Sequence, residues 1–195
     1  GLIQKDILRH ATRRFAAAGV DATSLQQIAD EVGIRKASLL YHFPSKAELR
    51  RAVLESLLAR WRDVVPRVLF AAPEGMQQFD AIIDELIGFF ATEPDRARLL
   101  LRELLDRPDE GRELLSSHVR PWIDMAVRHI EAGKSKGRVR SDVDAEAYVF
   151  HAIQLVLSSI ATRSVLASYG QERQLQELKR IARASLFVRD EEGEG

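Results

Sequence analysis

Residues 28–46 read IADEVGIRKASLLYHFPSK, and two short helices meet in that stretch. Ile28 and Val32 fall on one face of the first helix, and Ala29 is small where a second helix would cross. Gly33 follows four residues after Ala29 and tolerates the positive φ that a sharp turn between helices needs. Ile34 and Leu39 are the apolar anchors of the next helix, expected from about Arg35 to His42, and Phe43-Pro44 stops it. The pattern is a helix-turn-helix, whose second helix suits the major groove of duplex DNA.

Three cations sit oddly in this frame. Arg35 and Lys36 open the second helix, and Lys46 opens the one after it. A helix N-terminus already carries about half a positive charge, so a cation there loses roughly 0.3–1 kcal/mol. The same position becomes useful once a phosphate arrives, because free N–H groups and the dipole bind anions. Charge distribution points the same way. Residues 1–50 hold eight Lys/Arg against five Asp/Glu, an excess of three, while the whole chain is formally neutral.

Outward from the motif, the periodicity is helical throughout. Ile3, Ile7, Ala11 and Phe15 recur every four residues, so a first amphipathic helix ends near Gly19. Thr23 or Ser24 caps the next, with Gln26 or Gln27 placed for a capping box. Ser45 and Glu48 form another box, opening a long helix to about Val65. Pro66 and residues 71–75 predict a connection. Five further helical stretches follow, at about 77–92, 95–106, 110–134, 144–168 and 171–188, the third kinked or split by Pro121. The expected fold is all-α, with about nine helices: a DNA-binding domain over residues 1–48, a larger helical domain over 49–189, and a disordered tail over 190–195.

There is no cysteine, which excludes disulfides, thiolate catalysis and cysteine metal sites, and fits a reducing compartment. No secretory signal is expected at the start, where polar Gln4, Lys5 and Asp6 follow Leu2-Ile3 at once. Residues 147–162 lack Asp, Glu, Lys and Arg, but this run falls short of the ~20 apolar residues that span a bilayer and contains His151, Gln154, Ser158 and Ser159. A buried helix is expected, with no membrane partner and a cytoplasmic location.

Residues 1 to about 55 resemble the DNA-binding domain of the TetR family of transcriptional regulators. The resemblance is carried by Phe15 and Gly19, then Thr23-Ser24, Ile28-Ala29, Gly33, Lys36, Leu39 and Phe43-Pro44-Ser45-Lys46. It implies that Lys36, Ala37 and Ser38 face base edges or phosphates, that Tyr41 and His42 contact DNA at the end of the recognition helix, and that Lys46 and the region of Thr23 and Ser24 grip phosphates, with Arg35 beside them. Two positions depart from the family pattern. Arg35 stands where a small capping residue is frequent, and Leu40 stands where Tyr is frequent, with Tyr41 one place on. Leu40 either touches a thymine methyl or packs inward.

The resemblance also implies an effector pocket in the C-terminal domain, lined by apolar and aromatic side chains with a few polar groups. Phe89, Trp122, Met125, Phe150, His151 and Gln154 are the expected lining. Recognition helices work in pairs on palindromic sites, so a homodimer is expected. Its interface would be a four-helix bundle made from Leu155, Ser158, Ser159 and Thr162 with Leu175, Leu178, Ile181 and Ala182.

Other candidates are weaker. His118 and His129 are eleven residues apart, too far for one metal. Ser117-His118 lacks the rest of a catalytic constellation, and no G-x-S-x-G occurs. Neither a cofactor, a metal nor a catalytic residue is implied. Glu103 is either a ligand contact or a surface partner of Arg102 or Arg107. Two functions stay open: a dimeric, effector-released repressor, or a small-molecule-binding helical module whose helix-turn-helix is only structural. The basic helix starts favour the first.

Overall fold

The computed structural model describes residues 1–71 and 75–188. The tail expected over 190–195 and residues 72–74 of the expected connection lie outside them. Ten α-helices follow in order: α1 (Leu2–Ala18), α2 (Leu25–Val32), α3 (Lys36–His42), α4 (Lys46–Ala71), α5 (Met76–Thr92), α6 (Asp95–Asp106), α7 (Pro108–Leu114), α8 (Arg120–Ser135), α9 (Ala145–Ala161) and α10 (Gln171–Leu186). A π-helical turn, Leu115–Val119, joins α7 to α8 without a break. The expected helix over 110–134 is thus a continuous rod distorted by the π turn, and Pro121 sits directly after that turn, at the start of α8. A single antiparallel bridge, Val139 to Phe187, is the only β contact among the described residues.

The head of the molecule is α1 to α3. Ile7, Ala11 and Phe15 of α1 are fully buried with Ile28, Ala29 and Leu39. Ser24 caps α2, with Gln27 closing the box, which settles the choice between the two capping candidates. Gly33 takes the left-handed conformation at φ 78°, ψ 32°, and Ile34 N–H donates back to Ala29 O at 3.0 Å.

The expectation that Pro66 ends the fourth helix does not hold. Helix α4 continues to Ala71 with Pro66 inside it. Proline deprives the Arg62 carbonyl of its usual donor, at roughly 3 kcal/mol. Burial of Leu57, Leu58, Trp61, Val64, Val65 and Leu69 outweighs that cost, at about 1.5–3 kcal/mol for each large apolar side chain. Helix α4 packs on α1 at one end and on α5 and α8 at the other.

Around it, α6 packs between α1 and α9, and α10 closes the far side against α5 and α9. No described helix is long and apolar enough to cross a membrane. Helix α9 stops at Ala161, short of the expected end, because residues 162–165 form turns before a 3₁₀ segment at Ala167–Tyr169.

Candidate nucleic-acid interface and effector cavity

Helix α3 is held from behind by fully buried Leu39 and presents Arg35, Lys36, Ala37, Ser38 and Tyr41 to solvent. Tyr41 is 85% exposed, a high value for an aromatic side chain, and its ring meets His42 edge-on at 5.4 Å. His42 and Leu40 are half-buried. Arg35 is the N-cap and offers no side-chain cap. This short, convex, uncapped helix with small side chains at its centre is the shape that enters a groove.

Two of the expected phosphate contacts have other work. Thr23 is 2% exposed, and its hydroxyl donates to Gly19 O at 2.8 Å, so the side chain locks the α1–α2 turn rather than facing solvent. Lys46 is half-buried, and its Nζ donates to Asp21 O at 3.1 Å and Thr23 O at 3.0 Å. The cation at the start of α4 therefore donates to carbonyls of the preceding turn. Ser24 is exposed, with Oγ engaged by the Gln27 N–H.

The head is tied to the rest by ions. Arg50 of α4 donates through Nε to Glu103 Oε2 of α6 at 2.8 Å and also pairs with Glu110 of α7. Glu103 is 4% exposed. Glu103 is therefore buried rather than a surface partner of Arg102 or Arg107, and it pairs with a residue 53 positions away. Arg107 reaches Asp21 Oδ1 at 2.6 Å, and Arg102 reaches Ala17 O at 3.3 Å.

The second feature is a cavity of about 150 Å³ between α4, α5, α8 and α9. Trp61, Val65 and Leu69 form one wall, and Phe79, Ile82 and Ile83 another. Helix α8 contributes Trp122, Ala126, His129 and Ile130, and α9 contributes Tyr148, Val149, Ala152 and Ile153. Its polar groups are few. Gln78 is buried and donates to Leu69 O. Tyr148 donates to Ala182 O at 2.6 Å, and burial pushes its phenol well above the ordinary range, so it stays neutral. His129 Nδ1 lies 3.0 Å from Met125 O; a carbonyl only accepts, so Nδ1 is the donor in this contact. Trp122 Nε1 is buried without a partner.

Of the six expected lining residues, Trp122 alone lines this cavity. Met125 lines an adjacent groove. Phe89 packs edge-on against Trp61 at 5.2 Å, behind the wall and under the Arg96 guanidinium. Phe150 is half-buried outside the lining, and His151 and Gln154 are exposed on the outer face of α9. The spacing that betrays the real lining is present in α8, at 122, 126, 129, 130 and 133, and in α4 at 61, 65 and 69.

The expected dimer surface divides in the same way. Leu155, Ser158, Thr162 and Ile181 are exposed, and Ser159 and Leu175 are half-buried. Leu178 and Ala182 are each 4% exposed within the protomer, on the face α10 turns to α5 and α9, so they belong to the core and not to an interface.

Residues 7–53 match the profile of bacterial regulatory proteins of the tetR family, and residues 99–180 match the tetracyclin repressor-like C-terminal domain. The HTH-type transcriptional repressor KstR2 of Rhodococcus jostii (strain RHA1) is 31% identical over 154 residues, covering 72% of this chain and 70% of that one. The HTH-type transcriptional regulator RutR of Escherichia coli (strain K12) is 45% identical over 58 residues, 30% of this chain and 27% of that protein. Among solved structures, the MbdR regulator from Azoarcus sp. CIB superposes with a TM-score of 0.81 at 18% identity, over 95% of this chain and 100% of that one. The exposed α3 face and both halves of the similarity agree: the chain belongs to the TetR family and is a sequence-specific DNA-binding transcriptional regulator.

Proposed function

We propose that the protein is a cytoplasmic, dimeric repressor that holds a palindromic operator through two copies of α3 and is released when a small, largely apolar effector fills the cavity. Residues 1–48 act as the reading head and residues 49–189 as the effector and dimerisation part. One observation carries the reading: α4 begins at Lys46, beside α3, and lines the cavity further along the same helix with Trp61, Val65 and Leu69. At 1.5 Å per residue its 26 residues span about 39 Å. An effector that shifts the cavity end of that rod moves Lys46, and Lys46 holds the turn in front of α2. The name of the relative from Rhodococcus jostii, a repressor, supports the direction of regulation.

DNA affinity is expected to fall linearly in log salt. Lys36→Ala is expected to flatten that slope by about one unit, and Ser38→Ala to change which sequences are selected from a random duplex pool. Gel-shift titrations at several salt concentrations measure both. Variants indistinguishable from the parent on random and selected DNA would remove α3 from the interface.

Linkage requires the effector to bind the DNA-free form more tightly, by the factor it costs the operator complex. A coupling of about 1–3 kcal/mol, five- to 150-fold, is expected. Calorimetric titration of a cavity ligand with and without selected DNA tests it. Equal affinities would sink the switch and leave DNA binding untouched.

A further inference from the structure

Beside the cavity lies a groove of about 380 Å³ between α4 and the π-helical turn with α8, lined in part by Glu55, Arg62, Pro66, Ser117, His118 and Met125. Trp122 lines both spaces and is the wall they share. Its indole N–H is buried without a partner, so this position of the ring leaves a donor unsatisfied.

The two spaces differ in chemistry. The cavity is apolar, and Lys136 and Arg138 on its lining each have an interaction of their own. The groove offers polar groups. Arg62 makes no ion pair among the described residues and is exposed. Pro66 lacks an N–H, so the Arg62 carbonyl has no helical donor. Ser117 Oγ and His118 Nδ1 lie 2.8 Å apart, and Glu55 is 3.7 Å from Arg51 one turn earlier. The groove's wall is also the one π turn among the described residues, a distortion frequent at functional sites.

Building on the effector cavity proposed above, we infer that the effector is an amphipathic anion that lies across both spaces. Its compact apolar end, about the size of one aromatic ring, sits in the 150 Å³ cavity. Its anionic end sits in the groove against Arg62. Trp122 turns aside to join the two spaces, and its N–H then gains the acceptors the groove supplies.

The protein's two tryptophans, Trp61 and Trp122, both line the cavity, so intrinsic fluorescence reports occupancy. The probes are the phenylalkyl carboxylates from phenylacetate to 5-phenylpentanoate, their primary amides, the corresponding amines, and toluene. At least one carboxylate is expected to bind about tenfold more tightly than its amide and its amine, through a charge-assisted contact. Arg62→Gln is expected to erase that preference. Trp122→Phe removes the orphaned N–H and the drive to open, so carboxylate association in stopped flow is expected to slow by about fivefold or more.

An amine preference would assign the groove to Glu55 and overturn the inference. So would equal binding of carboxylate and amide, a preference that survives Arg62→Gln, or unchanged association in Trp122→Phe. If toluene alters the fluorescence while the carboxylates show no preference, the groove assignment falls and the cavity reading stands. If neither toluene nor any other probe alters it, in protein that still shifts selected DNA, both fall.

Discussion

Glu103→Ala is expected to destabilise the protein by about 3–5 kcal/mol, because it leaves the Arg50 guanidinium largely buried without its main partner. The side chains of Arg50 and Glu103 are 14% and 5% exposed, so water cannot replace what is lost. At about 2–4 °C per kcal/mol for a chain of this size, the melting temperature drops by roughly 6–20 °C. Arg50→Ala should cost a similar amount. Pairing Arg50→Met with Glu103→Leu should recover most of the loss, since two apolar side chains leave no buried charge. Asp109→Ala is the contrast: its bridge to Arg112 joins side chains 91% and 77% exposed, and its loss should stay within about 1 kcal/mol. Urea denaturation of the four variants decides it, and a Glu103→Ala loss below about 1 kcal/mol would mean the pair is solvated. Acid acts on the rim of the cluster. The hydrogen bond from Arg50, opposed in part by desolvation, holds the Glu110 carboxyl below its ordinary range. Its folded pKa being depressed, its contribution is present above the unfolded value of about 4.3 and is lost as pH falls through the folded one.

The double variant Leu155→Glu with Ile181→Glu is expected to yield a folded monomer. These side chains are 36% and 47% exposed, on helices whose other faces are buried, so charge there does not enter the core. Two identical negative patches would oppose each other across a two-fold contact. With the second half-site no longer engaged by the same particle, affinity for a two-half-site operator should fall by about 10²–10⁴, the gain that linked binding supplies. Light scattering, circular dichroism and gel shift test the three parts separately. An unchanged dimer would move the interface away from α9 and α10. Leu178→Glu is expected to unfold the chain instead, because Leu178 is buried within the protomer.

The helix-turn-helix was readable from sequence because its determinants are local. Ala29, Gly33 and Leu39 lie within eleven positions, and the αL turn at Gly33 is a property of one residue and its neighbours. The exposed face of α3 followed, since burying Leu39 dictates which side chains point away. Capping at Ser45 followed for the same reason, whereas the choice between Thr23 and Ser24 for α2 was made by the structure.

What sequence left undecided is phase and partnership between distant helices. Helix α9 is apolar nearly all round, so its pattern does not say which face meets the cavity; 148, 149, 152 and 153 do, whereas 151 and 154 face outward. In α10 the apolar stripe was legible, but only packing against α5 and α9 separates buried Leu178 and Ala182 from exposed Ile181. The contacts of Lys46, expected to grip phosphates, are not legible in sequence because its acceptors, Asp21 O and Thr23 O, are backbone atoms that no side-chain pattern reveals. Glu103 found Arg50 for a like reason: a charge inside an apolar run signals burial with a partner, and only the tertiary structure, which brings the Arg50 side chain of α4 within reach of α6, names it. Sequence by itself determined the all-helical class, the turn at Gly33 and the outward face of α3, each set by neighbours a few residues apart. Tertiary structure alone decided the cavity lining, the ion cluster and the free surface of α9 and α10, because these depend on how rods far apart in the chain rotate against one another.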